Sequence, residues 1–368
     1  MAKLYDPIQE ALNTLYGDIE NFSRGQVNLS PGTPGSILKR KNAGGFEYYA
    51  HQYYTPNGKK VETYLAGPVG NPEAEAKANS LRESTGLLSS VTKSIRLLGR
   101  EGFKIADSKT FATVVALRNN GLFDAGAMLI GSHAYGVLLN QLGVRAAAYA
   151  TEDVDIARAA SLAFQTPPSA SFLEMLRQSG LDFVDIPQMD VSKPSASFKE
   201  AGKSLFHVDL LVPSSTENIG TLAVPELNAH ATALPYLKYA LGEHQEATLL
   251  AREGCCRLRV PTPERFALHK LIVSQLRGRS AKSLKDVSQA CVLLAVLAER
   301  HPGAIEDAAK AIPVSARAHV KNSYEKARDD LVAHPRAIEV LDSIFGEHGN
   351  NDDKVERKID IRKTRKLK

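Results

Sequence analysis

The 368-residue chain is 43% hydrophobic and 24% charged, a globular composition with enough length for two or three domains that each bury a core. Its longest apolar run, residues 290–298, falls far short of the ~20 residues that span a bilayer, and MAKLYDPIQEAL at the start has no secretory apolar stretch, so a cytoplasmic protein without membrane contact is expected. The net charge of +5 is local: residues 354–368 carry eight Lys/Arg and two Asp/Glu, while the rest of the chain has 38 basic and 39 acidic residues.

That basic tail reads two ways, as a solvated disordered end or as a segment that binds polyanions through phosphate contacts. The three cysteines, Cys255, Cys256 and Cys291, show no CxxC or Cys/His spacing. A disulfide framework and a structural zinc are therefore not expected, and buried thiols are.

In chain order, Asp6-Pro7-Ile8-Gln9 has the form of a helix start, with Asp6 as N-cap and Pro7 at the first helical position. Ile8, Leu12, Leu15, Ile19 and Phe22 then recur at helical spacing, until the SPGTPGS segment breaks the pattern at residues 30–36. A hairpin is expected over residues 46–67, where FEYYAHQYY and KKVETYL flank Asn57-Gly58, the pair that a type I′ turn favours. Its tyrosines, with Lys39, Arg40, Lys41, Lys59 and Lys60 around them, have two readings: stacking platforms for bases, or the apolar face of a small sheet against a helix. Asn71-Pro72 opens a second helical region to about Leu98, and Asp107 caps a third through Leu117, ended by Gly121.

Residues 122–130 read as a strand running into Gly131-Ser132, which opens a helix-like segment. A second strand carries Asp153 and Asp155, and a third, residues 206–212, carries Asp209. A short helix is expected at 169–178, strands near 247–250 and 257–260, and helices at 264–276, 282–299, 304–311, 316–332 and 337–345. No internal repeat is present. The domain reading is a helical region 1–120 with its hairpin, a mixed α/β core 121–261, a helical region 262–350 and the tail 351–368.

The chemistry lies in the middle. Strand residues two apart share a face, so Asp153 and Asp155 project together. Carboxylates so placed repel one another unless a cation lies between them, and Mg²⁺ takes oxygen ligands while leaving positions for substrate phosphates. Asp209 on a neighbouring strand would supply a third carboxylate. Gly131 would let the backbone approach a phosphate, with Ser132 and the following amides at a helix N-terminus. Each piece alone is common. A Gly-Ser after a strand is often only a cap, and Asp209 alone would serve as partner to a buried base.

Gly-Ser, then Asp-x-Asp, then a lone Asp on a later strand resembles the DNA polymerase β-type nucleotidyltransferase superfamily. The fuller string GSHAYGVLLNQLGVR…ATEDVDIA resembles a bacterial subfamily of uncharacterised nucleotidyltransferase-like proteins, over roughly residues 122–298. The resemblance implies an α+β fold: a mixed sheet flanked by helices, with helical N- and C-terminal parts. It implies that Gly131 and Ser132 bind a nucleoside triphosphate, that Asp153, Asp155 and Asp209 hold Mg²⁺ or Mn²⁺, and that Asp209 serves as general base.

Lys270 and Lys285 lie in the helices that follow the sheet and correspond to lysines that reach the triphosphate in related enzymes; a solvated Lys-Asp helix face is the other reading. Arg145 and Arg158 flank the site in sequence as candidate phosphate contacts. His133 is either ligand-facing or a packing residue, and His207 is expected on the opposite strand face with no role. The 20 residues between Ser132 and Asp153 exceed the usual gap, which changes the wall on the acceptor side. The implied reaction moves an NMP from an NTP to an acceptor hydroxyl and releases pyrophosphate. The aromatics and the tail favour a nucleic-acid acceptor, such as an RNA 3′ end, over a protein or small molecule. A catalytically inactive nucleic-acid-binding or regulatory module on the same fold is the alternative.

Overall fold

The structure, a computed structural model, describes residues 3–147, 151–188, 194–277 and 280–346. The basic tail lies outside these residues. The elements begin with strand β1 (Tyr5–Pro7) and helix α1 (Glu10–Arg24), then β2 (Ser36–Lys41), β3 (Glu47–Tyr54), β4 (Lys60–Ala66), α2 (Pro72–Arg100) and α3 (Ser108–Asn119). The central part holds β5 (Ala127–Ile130), α4 (Gly131–Gln141), β6 (Val144–Ala146), β7 (Asp153–Arg158), α5 (Phe172–Arg177), β8 (Phe183–Asp185), β9 (Ser197–Glu200) and β10 (His207–Pro213). It continues with β11 (Gly220–Val224), β12 (Ala229–Leu234), α6 (Leu237–Ala240), β13 (His244–Ala251) and β14 (Gly254–Pro261). The remainder is helical: α7 (Pro263–Leu276), α8 (Ala281–Arg300), α9 (Pro302–Lys310), α10 (Val314–Ala327) and α11 (Pro335–Phe345). The α+β architecture with helical terminal parts is thus the one the sequence implies.

The central sheet runs β11-β12-β10-β7-β5, with β9 also on β10 and β8 on β9. Strands β7 and β10 are parallel in the register Asp153↔His207 and Asp155↔Asp209, and β5 is antiparallel to β7 with Ile130↔Asp155. The alternation inside these strands sets the faces. Val154 and Ile156, and Val208 and Leu210, are fully or almost fully buried in the main core, each contributing roughly 1.5–3 kcal/mol. The residues between them are turned to the other face. That apolar burial holds carboxylates side by side against their repulsion. One continuous core joins α3, the sheet and helices α7 to α11, from Phe111 to Leu341. Among the described residues no helix is long and apolar enough to cross a membrane. All three cysteines are free and buried, and burial pushes the Cys255 and Cys291 thiols up to about 12.

Helix starts marked by side-chain caps fall where expected. Asn71 and Asp107 each accept hydrogen bonds from the first turn of α2 and α3, and Ser171 closes a capping box on α5. The expected start at Asp6-Pro7 is corrected: these residues form β1, antiparallel to Val144 and Arg145 of β6, and α1 begins at Glu10. The hairpin turn is corrected too. Only Gly58 has a positive φ, and its N–H donates to Thr55 O at 2.8 Å, which is a type I turn with Pro56 leading and a left-handed glycine closing it. The hairpin also has a third strand, β2, whose basic residues pair with β3. Tyr49 of the hairpin is buried, with the Arg82 guanidinium over its ring, while Phe46, Tyr54 and Tyr64 stay exposed. The strand expected at 122–130 shortens to β5, because Gly121 and Gly126 with positive φ make residues 121–126 a turn.

Candidate functional site

At Gly131 the chain passes from β5 into α4 with φ +68°, and a Cβ there would run into the Asp155 carboxylate. Both the left-handed backbone and the closeness of that side chain require glycine. Asp155 is consequently flanked by Gly131 on one side and, through the parallel register, by Asp209 on the other. Its carboxyl is pushed up to about 6, first by burial and then by the Asp209 charge, with Lys270 opposing. Asp153 lies one step along β7, next to His207.

The expectation that His207 faces away is corrected. It is two residues from Asp209 in a strand and therefore shares its face, with Nδ1 3.4 Å from Asp153 Oδ1 and Nε2 3.8 Å from Asp209 Oδ2. Its Nδ1 is also 3.0 Å from the Leu205 carbonyl.

Gly131, Ser132, Asp153, Asp155, Asp209, Lys270 and Lys285 all line one cavity of about 270 Å³. The acids form its floor, and the facing wall is basic. On α7 and its C-cap, Phe266, Lys270, Val273 and Arg277 follow helical spacing, and the start of α8 adds Lys282, Lys285 and Asp286. Asp286 is 1% exposed and takes a 2.6 Å contact from each of Lys270 Nζ and Arg277 Nη1. Asp286 is thus not on a solvated Lys-Asp face but in a buried bridge to α7, and Lys270 spends one of its three donors on it. Burial and the neighbouring Lys270 lower the Lys285 ammonium, while Asp286, Asp153 and Asp155 support its charge.

Arg145 and Arg158 do not reach this cavity. Arg158 sits at the far end of β7 in an ion pair with Glu226 at 3.2 Å, and the Arg145 stem packs beside Gly102. His133 is half-buried beside Thr110, whose hydroxyl lies 3.4 Å from its Nε2, and burial lowers its ring below the usual histidine value. Sequence reading missed Arg277 and His269. The His269 ring is pushed to about 3 by burial and then by the nearby cations, and its Nε2 has no hydrogen-bond partner although the residue lines the cavity. The periodic spacing of residues 266, 270, 273 and 277 was the available signal for that wall.

Among the described residues no three His, Cys, Asp or Glu groups stand ready as a metal cage. The donor chemistry nonetheless suits a hard divalent cation: three carboxylates on adjacent strands, with the sheet rather than mutual attraction holding them together. The Asp153 and Asp209 side chains are 36% and 28% exposed, and both line the cavity.

A protein family described as nucleotidyltransferase matches residues 108–313, more than half of the chain. No curated protein matches. Among solved structures, an antigenic nucleotidyltransferase-like protein from Paracoccidioides brasiliensis aligns at 16% identity over 62% of this chain and 92% of its own, with a TM-score of 0.34. The matched span contains the three strands, the glycine turn and the basic helices that enclose the cavity, and on that match the chain belongs to the nucleotidyltransferase family.

Proposed function

We propose that the chain transfers an NMP from an NTP to an acceptor hydroxyl, with Asp153, Asp155 and Asp209 holding Mg²⁺ or Mn²⁺. The observation that carries this reading is the pairing of a three-carboxylate floor with a basic wall across one cavity. A triphosphate with divalent cations is a ligand whose two sides match those walls. Divalent ions there would neutralise the triphosphate and lower the pKa of the attacking hydroxyl.

The protein's own part is positioning and charge. Gly131, lacking a Cβ, lets the Asp155 carboxylate lie against the start of α4, and the Ser132 hydroxyl with the first amides of α4 meets the phosphate oxygens as donors. Lys270, Arg277 and Lys285 face the β- and γ-phosphates. The acceptor oxygen forms its bond to the α-phosphorus, the bond to the bridging oxygen breaks, and pyrophosphate carries away the electron pair. Asp209 receives the acceptor's proton. His207 lies beside both carboxylates on the side opposite Gly131, its ring nitrogens 3.4 Å from Asp153 Oδ1 and 3.8 Å from Asp209 Oδ2.

The test is incubation of the full chain with each α-³²P-labelled NTP, Mg²⁺ or Mn²⁺, and cellular RNA or protein. Label that appears with the wild type and falls at least about a hundredfold in Asp153→Ala supports the enzyme. Transfer unaffected in Asp153→Ala removes the site assignment. Absence of label with every acceptor, small hydroxylated molecules included, returns the chain to a binding module on the same fold.

A further inference from the structure

We propose that the acceptor is a single-stranded nucleic acid, laid along a groove that runs from the carboxylate cavity to a cluster of three arginines at the end of α2; this rests on the transfer reading above. Three cavities are contiguous. The carboxylate cavity shares Ser132 and Thr151 with a second, of about 360 Å³, walled by Lys104, His133 and Gly136. The second shares Ile105 with a third, of about 620 Å³, where Arg96, Arg100 and Arg252 surround a floor of Ile95, Phe103 and Ile105.

The arginines come from separate parts of the chain. Arg96 and Arg100 lie one turn apart on α2, about 6 Å by helix rise, and Arg252 sits in the turn between β13 and β14. All three are exposed, and among the described residues none has an ion-pair or hydrogen-bond partner. The acid next to Arg252 is engaged elsewhere: Glu253 accepts from the Ser108 hydroxyl at 2.5 Å. Three uncompensated guanidinium groups around one concavity make a positive well, and their planar forks match phosphate oxygens.

The occupant follows from length and charge. A small acceptor would fill the middle cavity and leave the arginines unused. A strand with its 3′ hydroxyl at Asp209 would continue past Lys104 and carry regularly spaced phosphates into the arginine cavity. Phe103 is only 3% exposed, so the floor offers no stacking platform and recognition there is of the backbone rather than of bases.

The experiment uses the full chain and fluorescein-labelled single-stranded RNA and DNA of about 20 nucleotides, with anisotropy read between 50 and 200 mM NaCl. In the variant Arg96→Ala/Arg100→Ala/Arg252→Ala, the slope of log K against log salt becomes shallower by about 2, near 0.7 for each of three lost phosphate contacts, and affinity at 50 mM falls roughly tenfold or more. Binding of a fluorescent ATP analogue stays within about twofold, and the corresponding triple Arg→Lys variant recovers the slope. Comparing the RNA and DNA arms shows which backbone is preferred.

An unchanged slope and affinity in the triple Ala variant overturn the groove, as does displacement by polyglutamate as effective as by RNA, which would assign the cluster to an acidic protein. The two readings separate. Asp153→Ala loses transfer but keeps the slope. A slope that falls in the arginine variant of a chain that transfers to nothing sustains the groove and removes the enzyme. Transfer that persists with an arginine-independent slope does the reverse.

Discussion

Asp155 is the residue on which the geometry converges, since Gly131, Asp209 and Ile130 all adjoin it. Its raised value has a direct consequence for stability. The carboxyl titrates near 6 in the folded chain against 3.8 unfolded, so the native state binds the extra proton between those values. The penalty for its charge is complete above pH 6, shrinks as pH falls, and is gone below about 4. Two units correspond to about 3 kcal/mol, but the side chain still opens on a cavity and solvent screening reduces this to about 1–2 kcal/mol. Asp155→Asn is therefore expected to be more stable than wild type by that amount in EDTA at pH 7.5, and to lose most of the advantage at pH 4.0. Urea denaturation at both values reads this directly; a variant no more stable at pH 7.5 would show that the crowding of charges has no energetic weight.

The same residue shows what a sequence makes legible. Asp155 and Asp209 were readable because apolar neighbours on either side mark each as the exposed half of a buried strand, and Asp153 because it lies two residues from Asp155 and shares its face. His207 obeys the same period-two rule and was assigned to the wrong face only because the rule was not carried through to it.

Among elements, helix caps were legible where their signal is local, and strand β1 was not. Asn71 and Asp107 act within a few residues of themselves, so their caps are visible in any short window. Strand β1 is different. Asp6-Pro7 satisfies the local rule for a helix start, yet its partner is Val144 and Arg145, some 140 residues away, and tertiary pairing overrides the local preference. Strands β11 and β12 likewise had no distinctive pattern, one edge of their pair being exposed.

The join between α7 and α8 also depends on a distant pair. Asp286 alone ties Lys270 and Arg277, and removing its carboxylate leaves Lys270, 11% exposed, beside another cation. Asp286→Ala is expected to cost about 2–4 kcal/mol, toward the low side for a broken buried pair because Arg277 is 44% exposed. Thermal unfolding at pH 7 checks it. A melting temperature equal to wild type would mean that the cations repack at no cost and that the bridge does not set the spacing of the basic wall.

At the scale of the molecule, the folded part and the tail divide the charge. Outside residues 354–368 the chain is close to neutral, so its affinity for polyanions depends on where the cations stand and not on their number. The arginine groove concentrates a few of them; the tail strings eight along fifteen residues. These two sources differ in what they do for a bound strand. On the proposed reading the groove would lead a strand to the carboxylates and fix its direction, whereas a tail would raise local concentration without aligning a 3′ end. Deleting residues 354–368 is expected to flatten the salt dependence of RNA binding and to raise KM for an oligonucleotide acceptor, while kcat at saturating RNA stays within about twofold. The arginine variant, by contrast, should lower kcat as well, because a misaligned strand is bound without being poised for attack. Steady-state kinetics of both variants and their combination distinguish the roles. Independent contributions add in the logarithm of kcat/KM, and a tail deletion that leaves the salt slope untouched would leave the groove as the principal polyanion contact.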